Sequence, residues 1–230
     1  MKKTNSYWAY LLGLVLVLLA APVVSHADTI YGNFGAGNSY NCCSGWTVSG
    51  SSSTVGAVVV SAEAFTPSSS YDLTQILIAI SNVSGTNQAY VTLNADSGSD
   101  TPGTMIESWP LSGLPNFGTN NSPETLTSSP GVLLTSGTQY WIVVWPDNSG
   151  LTSDTWDAWN NNSLSPTPAS GTFSQSNDGV TWPTGFSDTQ GAFEVDGTSP
   201  TPEPGTFGLL GLGLAALPYV RSRLRARRRG

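Results

Sequence analysis

The side chains in this chain with the means to do chemistry are carboxylates, tryptophans and one pair of adjacent cysteines. Asp154 and Asp157 lie close together, as do Asp96 and Asp100. Glycoside hydrolysis needs only two carboxyls, one to give a proton and one to act as base or nucleophile. Neighbours in sequence do not by themselves make a site, and acidic loop residues are commonly just solvated. Asp96 and Asp100 also sit in the run Asn94-Ala95-Asp96-Ser97-Gly98-Ser99-Asp100-Thr101. Its hard oxygens on a flexible turn suit calcium, which takes six to eight of them. The run lacks the glutamate and spacing of an EF-hand, and it reads equally as a hairpin loop held by Asx turns. Trp156 and Trp159 stand beside Asp154, Asp157 and the run Asn160-Asn161-Asn162. An exposed indole with a polar rim suits the apolar face and hydroxyls of a sugar, whereas strand aromatics otherwise pack a core. Cys42 and Cys43 are the only cysteines. Ordinary disulfide geometry wants Cα atoms farther apart than neighbours allow, so the pair is a strained vicinal disulfide, two free thiols, or bridges to other chains. With no third cysteine, a zinc site is discounted.

The basic residues narrow this further. All 8 lysines and arginines lie at the two ends: Lys2 and Lys3 open the chain, and Arg221, Arg223, Arg225, Arg227, Arg228 and Arg229 close it. The single histidine, His26, falls inside the N-terminal segment. The body between the ends holds all 15 acidic residues and no cation to pair with them. Ser-His-Asp and Cys-His catalysis, lysine Schiff bases and arginine clamps are thereby excluded there. Nucleic acid is excluded as a partner too, because phosphate binding releases counterions through Lys and Arg. An anionic membrane surface would repel the body for the same reason. No cofactor is expected, apart from calcium at Asp96 and Asp100.

Residues 1–27 read as a secretory signal peptide. Lys2 and Lys3 form the positive start, an apolar run follows through Ala21, Pro22 ends it, and Ser25-His26-Ala27 offers small residues at a cleavage site. At the other end, Pro202-Glu203-Pro204 precedes an apolar stretch through Val220 and then the arginine cluster. A short hydrophobic helix with a dense basic end stops transfer, because the arginines resist crossing. This ordered set resembles the PEP-CTERM sorting signal of Gram-negative bacteria. The resemblance implies that Pro202, Glu203 and Pro204 are the recognition element for an exosortase. It further implies that the helix over residues 207–230 holds the protein in the inner membrane only transiently, before it passes to the cell surface or extracellular matrix. Signal peptidase and exosortase are then the processing partners.

Residues 28–197 form the exported domain, followed by a Pro/Gly/Thr linker at 198–206. Alternation of apolar and polar residues predicts strands at 46–48, 55–65, 73–82, 89–95 and 104–111. Residues 132–134 and 139–145 flank Ser136-Gly137 and read as a hairpin. Further strands are expected at 156–160, 171–175 and 191–195. Within 139–145, Trp141, Val143 and Trp145 should share one face, and Tyr140, Ile142 and Val144 the other. The serine-rich run 49–53 reads as disordered. The whole is expected to be all-β, an antiparallel sandwich or jelly roll, with helices only in the two terminal tags.

Several short motifs occur in a fixed order: Tyr31 to Gly35, Trp46-Thr47-Val48, Ala62 to Pro67, Leu73-Thr74-Gln75-Ile76, Val91-Thr92-Leu93, the acidic loop with Pro102-Gly103, and Gln139 to Val144. The order resembles the choice-of-anchor R domain, an all-β module of exported proteins with differing anchors, and implies no catalytic activity. The expected function is that of a non-enzymatic surface or matrix protein, structural or adhesive, meeting extracellular polysaccharide or matrix proteins. A carbohydrate-binding module, calcium-assisted or not, is the alternative. A glycosidase ranks third.

Overall fold

A computed structural model describes residues 27–148, 150–164 and 169–200. The signal segment, the Pro-Glu-Pro triplet, the hydrophobic C-terminal stretch and the arginine cluster lie outside the described residues. Among those described, the chain forms strands and no helix, so none is long and apolar enough to cross a membrane. The strands in chain order are β1 (Asp28–Gly32), β2 (Tyr40–Ser49), β3 (Val60–Phe65), β4 (Tyr71–Ile78), β5 (Ile80–Ser84), β6 (Gln88–Asp96) and β7 (Pro102–Ser112). They continue with β8 (Glu124–Thr127), β9 (Leu133–Leu134), β10 (Tyr140–Trp145), β11 (Trp156–Asn162), β12 (Ser170–Ser176), β13 (Phe186–Thr189) and β14 (Phe193–Thr198).

Three antiparallel sheets share one core. The largest runs β13-β12-β3-β10-β6-β7, a second runs β1-β14-β4-β8 with β9 also on β4, and a third runs β2-β11-β5. β4 and β5 are one nearly continuous stretch, interrupted at Ala79, so a single run of chain serves both smaller sheets. Together these two sheets cover one face of the six-stranded sheet, as an all-β sandwich requires. The shared core takes Phe65, Val91, Leu93, Ile142 and Val144 from the large sheet, Ile76, Ile78, Phe193 and Val195 from the second, and Val48, Ile80 and Trp159 from the third. Period-two alternation explains the selection: Ile142 lies opposite Leu93 and Glu63, so all three point the same way.

The other face of the six-stranded sheet is apolar too. Val60, Ala62, Ala64, Trp141 and Val143 form a second cluster there, joined by Val58, Trp145, Leu151 and Trp182. Loops rather than a sheet cover it. Ser51 N–H donates to the Leu151 carbonyl and Ser52 N–H to that of Ser153. Asp147 accepts from the Leu151 and Ser153 amides, and Trp182 packs edge-on against Trp145 with ring centres 6.3 Å apart. Gly179, at φ 70°, lies under the Trp145 ring, where a Cβ would come within 2.2 Å of it.

Three expectations change. Residues 132–134 and 139–145 are not a hairpin: β9 pairs with β4, whereas β10 lies between β3 and β6. The turn at Gly137 (φ 71°) reverses the chain, but it hands the chain from one sheet to the other. The run 49–53 is ordered, because loop 151–155 supplies acceptors for its backbone amides and Ser49 pairs with Val59. The strand expected at 55–65 begins only at Val60, after the turn at Gly56 (φ 72°). β8 and β13 are strands that the alternation does not announce.

The sandwich is laced shut along one edge. Trp109 of edge strand β7 donates from Nε1 to the Thr127 carbonyl at 2.8 Å. The Glu107 carboxylate accepts from Ser128 Oγ and Ser129 N–H, both at 2.6 Å. β8 ends at Thr127, so these bonds join the large sheet to the second one.

Candidate functional site

β11 carries both tryptophans singled out for sugar binding, and it separates them. Their three-residue spacing on a strand places them on opposite faces. Trp159 is fully buried, tilted against Phe193 at 5.8 Å, and donates from Nε1 to the Ala192 carbonyl at 3.2 Å. Trp156 faces the other way and is half-buried. The pair therefore does not form a platform, and the expectation for Trp159 is corrected: it is a core residue. Gly191 makes room for it, since a Cβ there would lie 2.6 Å from the indole.

The loop between β6 and β7 does bring Asp96 and Asp100 together. Gln139 Nε2 donates to Asp100 Oδ1 at 2.7 Å and reaches Asp96 Oδ1 at 3.4 Å. Trp141 Nε1 donates to the same Asp96 oxygen at 2.9 Å, and Gly98 N–H donates to Asp96 Oδ2 at 2.6 Å in an Asx turn. Both oxygens of Asp96 thus accept from N–H donors, as in a hairpin loop held by an Asx turn. Among the described residues, no three or more His, Cys, Asp or Glu come together in a grouping fit for a metal.

Asp154 and Asp157 are separated more completely. Asp154 lies in the loop before β11, accepts from Thr86 N–H at 3.0 Å, and is held below its usual carboxylate range chiefly by its bonds with Thr86. Asp157 points into the sandwich. Its Oδ1 accepts from Asn82 Nδ2 at 2.9 Å, and burial pushes its pKa up to about 8. One is therefore a solvated anion and the other a neutral interior acid near pH 7. They do not share a substrate position.

A second interior acid lies in the Ala62 to Pro67 motif, where nothing in type or spacing marks it for chemistry. Glu63 of β3 is fully buried on the core face, accepts from the Gly191 amide, and is raised well above the usual carboxylate range, first by desolvation. Close by, the Tyr31 hydroxyl donates to Gln190 Oε1, while Gln190 Nε2 donates to the Ala64 carbonyl at 3.2 Å. Burial, then the nearby Glu63, pushes Tyr31 up to about 12. Asn33 completes the group, donating to the Gly191 carbonyl and accepting from Phe193 N–H, both at 2.8 Å. Strand parity could have found Glu63, because it lies two residues from Phe65 and so on the same face. With no cation in the body, desolvation of an interior acid is opposed only by hydrogen bonds, and it pushes the pKa up where these are few. Glu63 Oε2 and Asp157 Oδ2 are buried without a hydrogen-bond partner.

Cys42 and Cys43 sit in an irregularity of β2. Gly45 pairs with Asn160 and Asn41 with Asn161, so Cys42, Cys43 and Ser44 have no counterparts on β11. Both cysteines are thiols in the structure, Cys43 exposed and Cys42 half-buried against the cluster of Phe34, Tyr40, Ala79 and Ala192. Hydrogen bonding with the Cys43 thiol is the first cause holding the Cys42 thiol above its ordinary value.

The geometry thus defines an all-β sandwich in which Glu63 and Asp157 are sealed inside while Asp96 and Asp154 are tied into loops. Comparison with known families adds the export route. A family profile described as the PEP-CTERM protein-sorting motif matches residues 200–229. The matched segment contains Pro202, Glu203 and Pro204 and all six arginines. No curated protein matches the chain. The match supports an exported protein, held transiently in a membrane and processed by an exosortase.

Proposed function

We propose that the domain over residues 28–197 is, after export, a non-enzymatic structural or adhesive module at the cell surface or in the extracellular matrix. The observation that carries this reading is where the acids are placed. Glu63 and Asp157 are buried, and burial pushes both pKa values up, while Asp96, Glu107, Asp147, Asp154 and Asp178 accept hydrogen bonds from neighbouring loops and strands. Acids used in this way hold a scaffold together, and function is argued from such sites rather than from the fold. The order of short motifs that resembles the choice-of-anchor R domain accords with a module carried by different anchors. Matrix polysaccharide or matrix proteins are its partners, met through polar loops.

The test compares cells making the full chain with cells lacking it, for attachment and for matrix retained on the surface. Loss of either in the deletion strain supports the reading; unchanged attachment and matrix, or hydrolysis of matrix polysaccharide by the purified processed protein, overturns it. A glycan array run with and without calcium tests the lectin alternative separately. Replacing Glu203 with Gln is expected to leave precursor in the inner membrane, measured by fractionation and immunoblot.

A further inference from the structure

In a regular strand, adjacent side chains point to opposite faces, so neighbouring cysteines cannot meet. β2 is not regular at one place. Three residues are looped out of register against a single peptide step of β11, at the outer edge of a three-stranded sheet. The looped segment is pinned on both sides: the Cys42 carbonyl accepts from Gly118 N–H at 3.0 Å, and Cys43 N–H donates to Asn41 Oδ1 at 3.2 Å. Because residues 42–44 have no ladder partners on β11, a local change of torsion there costs no strand pairing. Cys43 is exposed, so a solution oxidant can reach it.

We propose that Cys42 and Cys43 are a modification site, which an external protein disulfide converts into a vicinal disulfide once the domain has been exported. The Cys43 thiolate attacks one sulfur of the incoming disulfide and expels the other as a thiolate. The Cys42 thiolate then attacks Cys43 Sγ in the mixed disulfide and releases the second thiol. The pair loses two protons and two electrons, and the oxidant leaves as two thiols. With no Lys, Arg or His in the body, nothing cationic nearby stabilises either thiolate. The pair is thus a recipient of exchange and not a catalyst of it. Neighbouring Cα atoms are closer than an ordinary disulfide prefers, so the product belongs to the readily reduced class.

The experiment uses the full chain produced and exported by cells, recovered from the envelope or medium after trapping of free thiols with N-ethylmaleimide. The expected result is no label before reduction, two labels after mild reductant without denaturant, and a peptide spanning residues 42–43 lighter by two hydrogen atoms. Cys43→Ser should carry one label before reduction and remain a monomer in non-reducing electrophoresis. Two labels on the untreated protein would overturn the proposal, because the pair is then reduced at its destination. A disulfide-linked dimer of the parent protein would overturn it as well, because the thiols then pair between chains.

Discussion

The two faces of the six-stranded sheet bury comparable aromatic side chains but treat acids in opposite ways. On the inner face, Glu63 is sealed with its proton retained, and Asp157 shares that interior from β11. On the outer face, Asp178 accepts from Val180 N–H, Thr181 N–H and Ser176 Oγ, and is held far below its usual range by those bonds. The difference lies in the available donors. A loop can wrap several amides around a carboxylate, whereas a sheet has already committed its amides to the ladder. In a body without cations, these are the two ways to accommodate an acid: surround it with N–H groups or leave it neutral.

The largest expected effect separates the packed interior from the loop layer. Trp159→Ala should cost about 3–5 kcal/mol in denaturant unfolding, the range for emptying a tryptophan site in a core. Trp182→Ala, which is only half-buried and removes the edge-on contact with Trp145, should cost less than half of that. Equal losses would mean that the loop layer is as much a core as the sandwich.

The next effect is one of pH. Asp157 ordinarily titrates at 3.8 and is raised to about 8 in the fold, so between those values the folded state binds more protons than the unfolded one. Stability must then fall as pH rises from about 4 to about 8. A tenfold change in proton affinity corresponds to about 1.4 kcal/mol, so the loss amounts to a few kcal/mol. Asp157→Asn mimics the neutral acid and should flatten that slope, leaving the variant more stable than the parent at pH 8. Glu63→Gln should act in the same direction. A thermal melt at several pH values decides, and an unchanged slope in both variants would place the pH dependence elsewhere.

Tyr31→Phe removes the hydroxyl bound to Gln190 and should cost about 1 kcal/mol, the net worth of one hydrogen bond. The smallest effect is at Asp178. Its depressed value means that its contribution is present above the ordinary 3.8 and is lost as pH falls below it. Asp178→Ala should speed proteolysis within residues 177–185 at neutral pH, with parent and variant converging in strong acid.

Part of the architecture is legible in the order of the amino acids alone. The alternation in β10 correctly sorts Trp141, Val143 and Trp145 from Tyr140, Ile142 and Val144. It can do so because the period of a strand is a local property. Questions about partners are another matter. Ser136-Gly137 specifies a reversal but not which sheet receives each arm. Residues 49–53 look unstructured by composition, since the acceptors that order them lie about a hundred residues away in sequence. Nearness in sequence groups Trp156 with Trp159, although the same parity that works for β10 divides them. The burial of Glu63 is not legible in its motif, because a charged letter in a strand suggests solvent unless its neighbours on the same face are counted.

β14, the last strand of the body, does not lie at an edge. It runs between β1 and β4, paired with β4 from Phe193 to Thr198 and with β1 from Glu194 to Gly197. The sorting segment begins a few residues further on. Any pull transmitted through that tether while the protein is held at the membrane therefore arrives on a strand clamped from both flanks. To strip it out, two ladders and the seats of Phe193 and Val195 must give way together. The chain is moored by a strand that is held from both flanks.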